Sequence, residues 1–599
     1  MTDLQLAAPA WDLGDLFDGP DDPRVEEALV HGKERAERFA ARYKGRIAPL
    51  ELSPEELAQA LSEYEGLQQS LAKPGAFAGL RFAAEANAAN GAFFQKVRER
   101  TTEASLPLLF FELELMAADE ARLSALRADE ALRPYDHYLD TARAFAPYRL
   151  SEAEERVLEE QANTGRRAWT RLFEEITSNL RFTLEGREKP LTLSEVTDLQ
   201  HHPDREVRRA SADALTRGLE ENARTLAYVF NTLLQDKATE DRLRGYQYQE
   251  QTRHLSNELT PEVVETVVET ATEGYGLVAR YYRAKRDLLG LDSLAHYDRY
   301  APLALDEKTI PYEGAREMIL AAFAGFDSAY QEAAGAFFEG DWIDAQTREG
   351  KRGGAFCSYT TPDSHPYIFL NYLGKPGDVR TLAHELGHGV HAYLSRGQGY
   401  LQFHGTLPMA EVASTFAEML VFEKQSGEAD DRTRLALYAH QIEQAIATIF
   451  RQAALYRFEQ SIHRERRGQG ELTVERFGAL WQEHIQAMFG DSVTLEPGHA
   501  VWWSYIRHFV ASPFYVYAYT FGEMLAMALY RRCQEEGAAS FAPRYLAMLE
   551  AGGSRSPAEL VRPLGVDLAD GAFWRGALDV LEAQVSEFEA LAKQSSVAG

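Results

Sequence analysis

Cysteine is scarce in this chain: Cys357 and Cys533 are the only two among 599 residues. Two thiols that far apart make no disulfide framework, and they suit a reducing cytoplasm. Basic charge is the second deficit. Lys and Arg number 63 against 92 Asp and Glu, a formal net charge of −29. So acidic a surface repels nucleic-acid phosphates and anionic lipid headgroups, which leaves small neutral or basic ligands as partners. The N-terminal stretch Met1 to Leu6 has no basic region leading into an apolar run, so no secretion signal is expected. Long clean apolar runs are missing too. The nearest approach, Phe509 to Tyr530, carries Ser512, Pro513, Thr520, Gly522, Glu523 and four tyrosines. A bilayer-spanning helix rarely tolerates that load, so the stretch reads as protein interior. No Gly-x-Ser-x-Gly elbow and no Walker loop occurs.

What is present is mostly amphipathic helix. The apolar share is 45% and the charged share 26%, ordinary for a globular chain. At roughly 150 residues per domain the length suggests about four folding units. Apolar residues recur at spacings of three and four over Pro23–Tyr43, Ser53–Leu71 and Ser151–Asn163. Ser53-Pro54-Glu55-Glu56 and Ser151-Glu152-Ala153-Glu154 are helix starts, and Thr260-Pro261-Glu262 opens a helix expected to reach Leu289. Strand signals are few: a hairpin near 181–193, and two runs, Ala355–Thr360 and Pro366–Asn371. We expect a helical N-terminal region, 1–195, and a catalytic region, 196–599.

The chemistry concentrates in Asp378-Val379-Arg380-Thr381-Leu382-Ala383-His384-Glu385-Leu386-Gly387-His388. In a helix, His384 and His388 stand one turn apart on one face, so both imidazoles can reach a single metal ion. Glu385 falls on the adjacent face, where a general base for water belongs. Asp378 can cap the helix. Three fixed residues match by chance in on the order of a few per cent of chains this long, so a third ligand is needed. The Gly and His that a metzincin requires are His391 and Leu394 here, which excludes that class. A Glu from a following helix is the other arrangement, with Glu411, Glu418 and Glu423 as candidates. Thr406-Leu407-Pro408 starts such a helix. Glu411 in its first turns reads as the ligand, and Glu418, seven residues on, as the acceptor that orients a ligand histidine. Two His and one Glu leave one position of a tetrahedral ion open. Zinc suits that set, and cobalt and manganese fit the same donors.

Phe369-Leu370-Asn371-Tyr372, the 378–388 stretch and Ala410-Glu411-Val412-Ala413-Ser414-Thr415-Phe416 resemble the thimet oligopeptidase family of zinc metallopeptidases, in its bacterial oligoendopeptidase F branch. Trp11-Asp12-Leu13, Tyr297-Asp298-Arg299-Tyr300, Gly552-Gly553-Ser554 and Phe573-Trp574 agree, so the likeness spans almost the whole chain. It implies a mainly α, two-lobed helical ellipsoid with a deep central channel and a small β-sheet near the metal. It also implies one zinc ion per chain, and cleavage of short peptides at internal bonds. The family's late His and Tyr cluster matches Arg507 to Tyr519 here. By this likeness His508 and Tyr519 donate to the oxyanion, with Tyr515 as a further candidate; tyrosines at 515, 517 and 519 leave the choice open. A position often Tyr in relatives is Val510 here. Gly353-Gly354-Ala355-Phe356 is similar to the family's flexible loop and substrate-side strand, whose edge would pair with an extended peptide; an ordinary turn is the alternative.

Two other functions compete. A dipeptidyl carboxypeptidase or metallocarboxypeptidase on a similar scaffold would need a cationic group for the substrate's free carboxylate. A non-catalytic peptide-binding protein would have no use for Glu385. His391, His404, His201, His202 and Cys357 are read as packing, lining or surface residues.

Overall fold

The computed structural model describes residues 8–303 and 309–598. Met1–Leu6, read above as lacking a secretion signal, lies outside the described residues. Helices dominate. Among the described residues there is one sheet, of three short strands: β1 (Ile343–Asp344), β2 (Phe356–Ser358) and β3 (Tyr367–Phe369). Their order is β1-β3-β2, parallel between β1 and β3 and antiparallel between β2 and β3, which leaves β2 at an edge. No helix among the described residues is long and apolar enough to cross a membrane.

Helix starts follow local chemistry. Ser53 accepts the Glu56 N–H while Glu56 accepts the Ser53 N–H, a closed capping box, and Ser151 with Glu154 repeats it. The first of these helices runs past the expected Leu71 to Ala84, straight through Pro74. Pro74 is buried there; packing along the helix outweighs the one hydrogen bond that proline removes. The helix opened at Thr260 breaks instead into Pro261–Glu273 and Tyr275–Leu288. Gly274 sits at the break, where a Cβ would come within 2.7 Å of Phe450 and Leu578. The hairpin near 181–193 is reduced to one antiparallel bridge, Phe182 with Leu191. Pro190 can donate no ladder bond beside it.

The chain divides into two compact units that interleave along the sequence. One comprises Met1–Pro147, Glu307–Glu428 and Leu529–Asp567; the other comprises Tyr148–Asp306, Ala429–Ala528 and Leu568–Gly599. The expected border at residue 195 falls inside the second.

In the first unit the sheet packs against α1 (Pro376–Ser395), and α1 packs against α2 (Leu407–Glu428). Two glycines of α1 allow this. A Cβ on Gly389 would lie 2.7 Å from the Phe337 ring and 3.2 Å from Ile368 of β3; a Cβ on Gly387 would lie 2.5 Å from the Ala413 carbonyl oxygen of α2. The sheet is pinned by Asp344, wholly buried, which accepts from Arg348 and Lys351 at 2.6 Å each. Lys351 also donates to the Leu370 carbonyl at 2.6 Å, which ties the loop before β2 to β3.

The second unit is built on the helix Arg205–Arg244, closed by Gly245 in the left-handed region (φ 81°). Phe230 of that helix meets Trp503 at 4.9 Å between ring centres, and Trp503 stacks on Phe477. Buried Asp298 accepts from Arg205 (2.8 Å) and Arg208 (2.9 Å), which explains the Tyr-Asp-Arg-Tyr patch as an anchor. The residues expected to act as oxyanion donors lie from the short α4 (His508–Ala511) into the start of α5 (Tyr517–Glu536), a stretch tied to α3 (Arg451–Gln469) through Glu459.

Gly387→Ala tests the α1–α2 contact. The added methyl should force the helices apart, cost about 1–3 kcal/mol as overpacking does, and lower bound metal. Urea unfolding and elemental analysis check this; a variant within about 0.5 kcal/mol of the parent with full metal would show that the backbones can yield.

Candidate metal centre

The helix that carries the first two candidate ligands starts at Pro376, and Asp378 closes its first turn by accepting the Leu373 N–H (2.7 Å) and the Lys375 N–H (3.0 Å). Asp378 is therefore a cap, acting from the third helical position, and its carboxylate is spent on backbone rather than on any ligand side chain. One and a half turns on, His384 and His388 project together, their ring centres 4.9 Å apart. From α2, Glu411 meets both: its Oε2 is 3.5 Å from His384 Nε2 and 3.6 Å from His388 Nε2. The three donor atoms all lie within 4.8 Å of one another. Two imidazole nitrogens and one carboxylate oxygen converging so fit a divalent ion with a position left for water.

Two of the three donors, His384 and Glu411, are held by neighbouring side chains. Glu418 accepts from His384 Nδ1 at 2.5 Å, which leaves Nε2 to face the cluster. The same carboxylate accepts from Arg380 at 3.0 Å. Ser414 Oγ lies 3.3 Å from Glu411 Oε2. Glu423, the third acid considered, instead accepts from the Tyr530 hydroxyl.

Burial and charge push these groups apart. Glu385 is 6% exposed, and its Oε2 has no hydrogen-bond partner among the described residues. Burial raises its pKa to about 7, against the pull of His384 and with the help of Glu411 and Glu418. For Glu418 burial acts the same way, but the His384 and Arg380 contacts overcome it and hold the carboxyl at about 2. Burial, then His384 and His391, lowers His388 to about 3, so it is a neutral donor. A carboxyl poised near neutrality beside three candidate ligands is what proton transfer to and from water requires.

The loop and edge strand of this unit complete the surroundings. Gly353 and Gly354 are exposed, Gly354 at φ +87°, and Ala355 and Phe356 lead into β2. Asn371 Nδ2 donates to the Arg352 carbonyl (2.9 Å) and lies 3.4 Å from the Gly354 carbonyl, so one side chain ties the glycine pair to the stretch after β3. On β2, burial and the charge of Glu385 raise the Cys357 thiol, which is thus no activated nucleophile. Tyr359 stacks on His404 at 4.7 Å and senses the charges of Glu411 and Glu385.

In the second unit His508, Tyr515 and Tyr519 form a cluster. Ring centres lie 5.9 Å apart from His508 to each tyrosine and 5.1 Å apart between the tyrosines. Tyr517 stands outside it: it is wholly buried, and its hydroxyl accepts from Asn257 at 2.7 Å. Val510 is buried and lines a separate cavity of about 210 Å³. Burial, then Arg451 and Arg507, lowers the His508 pKa.

Residues 198–579 match the model of peptidase family M3, and residues 114–182 match that of oligopeptidase F. The chain belongs to peptidase family M3. Among relatives, group B oligopeptidase PepB of Streptococcus agalactiae is 30% identical over 80% of this chain and 81% of its own. Oligopeptidase PepF of Bacillus subtilis is 28% identical over 98% of this chain and 87% of its own. Of solved structures, oligoendopeptidase-F from Enterococcus faecium superposes with a TM-score of 0.72 at 23% identity over 96% of this chain and 99% of its own, which speaks for the fold. The small sheet beside α1 in a mainly α chain belongs to the fold shared with that structure.

Sequence reasoning missed four residues of this M3 peptidase that the structure brings into play. Arg380 was in view, since it precedes His384 by one turn on α1. Ser414 and Tyr359 carried no signal of their own. Glu459 of α3 accepts the Phe514 N–H at 2.8 Å, at a residue with φ +57°, and so holds the turn between His508 and Tyr515. Of the other histidines considered, His391 is buried, His201 stacks on Tyr300, and His202 accepts the Asp204 N–H.

Glu411→Ala should weaken zinc binding by more than the roughly 10- to 100-fold that loss of an outer partner costs. Elemental analysis after dialysis checks it; full occupancy would remove Glu411 from the ligand set.

Proposed function

We propose that this M3 peptidase is a zinc endopeptidase of short oligopeptides, that His384, His388 and Glu411 hold one ion, that Glu385 is the general base, and that His508 and Tyr519 donate to the substrate's carbonyl oxygen. The observation that carries the reading is the meeting of the Glu411 carboxylate with both imidazoles, beside a buried carboxyl with an unpartnered oxygen. When bound, zinc supplies Lewis-acid polarisation of the scissile carbonyl and lowers the pKa of water toward ~7. Glu385 takes a proton from the attacking water and hands it to the departing amine. Its buried setting suits both steps, because a base that is too weakly or too strongly acidic would perform only one of them well.

Substrate binding falls to the Gly353–Phe356 segment and β2. An edge strand holds an extended main chain by backbone hydrogen bonds, largely independently of side chains. That favours short unstructured peptides of varied sequence. His508 with Tyr519 is supported by the cluster they form in their own unit; Tyr515 stands beside them as a further donor. The acidic composition and the paucity of cysteine support a cytoplasmic setting with no nucleic-acid or membrane partner.

Incubation with a mixed peptide library, with and without a chelator, tests the activity as a whole. Internal cuts in a C-terminally amidated peptide mark an endopeptidase; a strict need for a free carboxylate would turn the assignment to a carboxypeptidase. Glu385→Gln should keep its metal and lose about 10²- to 10⁴-fold in turnover; near-parental turnover would exclude it as the base. Tyr519→Phe should lower kcat by up to roughly 10²- to 10³-fold with little change in KM, as loss of an oxyanion donor does. An effect confined to KM would make Tyr519 a binding residue.

A further inference from the structure

Arg380 is a cation buried where hydrolysis has no direct use for one. It is 3% exposed, and it precedes His384 by four residues on α1, so both side chains leave the same face of the helix. One nitrogen, Nη2, donates to Glu418 Oε2 at 3.0 Å. Nε and Nη1 are buried without a hydrogen-bond partner among the described residues. The other oxygen of Glu418 takes the His384 Nδ1 contact at 2.5 Å. The carboxylate thus bridges a guanidinium and an imidazole, one oxygen to each, and reaches across from α2 to do so.

Desolvating a guanidinium with two unmet donors costs stability, and a hydrophobic side chain of similar volume would often cost less. Such a group persists where its geometry is needed. The geometry here is specific. A glutamate carboxylate with a single donor can swing about its last torsion, which is broad for this residue type. With one oxygen tied to Arg380 it cannot swing without breaking that bond, and the second oxygen stays opposite His384 Nδ1.

We propose that Arg380 is a positioning residue of the metal centre: it fixes the Glu418 carboxylate so that His384 presents Nε2 toward His388 and Glu411 before an ion arrives. The proposal rests on the reading of those three residues as ligands. Arg380 touches no ligand itself. Its effect passes through one carboxylate, and it shows as metal affinity rather than as a defect in proton transfer.

The experiment is a zinc titration of the full-length, metal-stripped protein against a competing chelator at fixed pH. Arg380→Met should raise the zinc dissociation constant about 10- to 100-fold, with Arg380→Lys recovering part of the loss. In a Glu418→Gln background Arg380→Met should change affinity by less than about twofold, because the relay is already cut. Circular dichroism of the metal-free variants establishes folding, and Arg380→Gln takes the place of Arg380→Met if the latter does not fold. Unchanged affinity in the single variant, or the same loss with and without Glu418, would overturn the proposal. His388→Ala is titrated alongside. If it binds zinc as tightly as the parent, the ligand assignment fails and takes the Arg380 role with it, a result distinct from a normal parent with an unaffected Arg380 variant.

Discussion

At Gly387 the backbones of α1 and α2 come so close that a methyl group in place of a hydrogen would lie 2.5 Å from the Ala413 carbonyl oxygen and 2.6 Å from the Ser414 Cα. Glycine inside a helix costs about 1 kcal/mol relative to alanine, so its presence there marks a contact that larger residues would prevent. Ala413 and Ser414 lie between Glu411 and Glu418 on α2. The closest approach therefore sits between the acid that meets both imidazoles and the acid that steadies one of them from behind. Wider spacing would withdraw both carboxylates at once. The glycine of the motif is in this sense as much a part of the centre as its histidines, though it offers no donor atom.

Three carboxyl groups share a small region, Glu385 buried and Glu411 and Glu418 partly exposed, and they avoid behaving alike because each has different company. Glu418 is met by Arg380 and His384 and stays ionised. Glu411 faces two imidazole nitrogens and the Ser414 hydroxyl. Glu385 has a buried oxygen with no partner among the described residues, and burial raises its pKa. Environments that drive similar groups to different protonation states are how one site separates holding a cation from carrying a proton. The divergence comes from position on two helices: residues 411 and 418 share one face of α2, while 385 leaves α1 on a different face from 384 and 388.

Much of this was legible in the order of residues, and the limits of legibility are physical. The 384–388 spacing needs only one helix, so periodicity sufficed. Glu411 needs the meeting of two helices; it was read as the ligand from its place in the first turns of the second helix, and Glu423, the last of the three acids, is met by the Tyr530 hydroxyl. The three late tyrosines could not be sorted by spacing, because which one is buried depends on Asn257, about 260 residues away. Pro74 and Gly274 show the converse: proline was overridden by packing within a long helix, whereas a glycine between two helical stretches marked a break. The expected hairpin at 181–193 shrank to a single bridge because Pro190 sits beside the pair that forms. Trp11, one of the scattered patches, is explained by its rings meeting Tyr367 and Phe369 of β3, a contact that no local pattern announces.

The sheet is small, yet it is more firmly built than three short strands would be alone. A two- or three-residue strand contributes few ladder bonds, and such pieces are marginal without support. Support comes from the Asp344–Lys351–Arg348 cluster on one side and the close contact of Gly389 of α1 with Ile368 of β3 on the other. Both fix β3, and β3 fixes β2 through the Phe356–Phe369 and Ser358–Tyr367 pairs. The edge of β2 is thereby held in register with the helix that carries His384, Glu385 and His388, and the Asn371 amide reaches the backbone of the glycine pair just before it. An edge held in register suits the substrate-strand role proposed above, in which a peptide's main chain is held by backbone hydrogen bonds while its side chains vary.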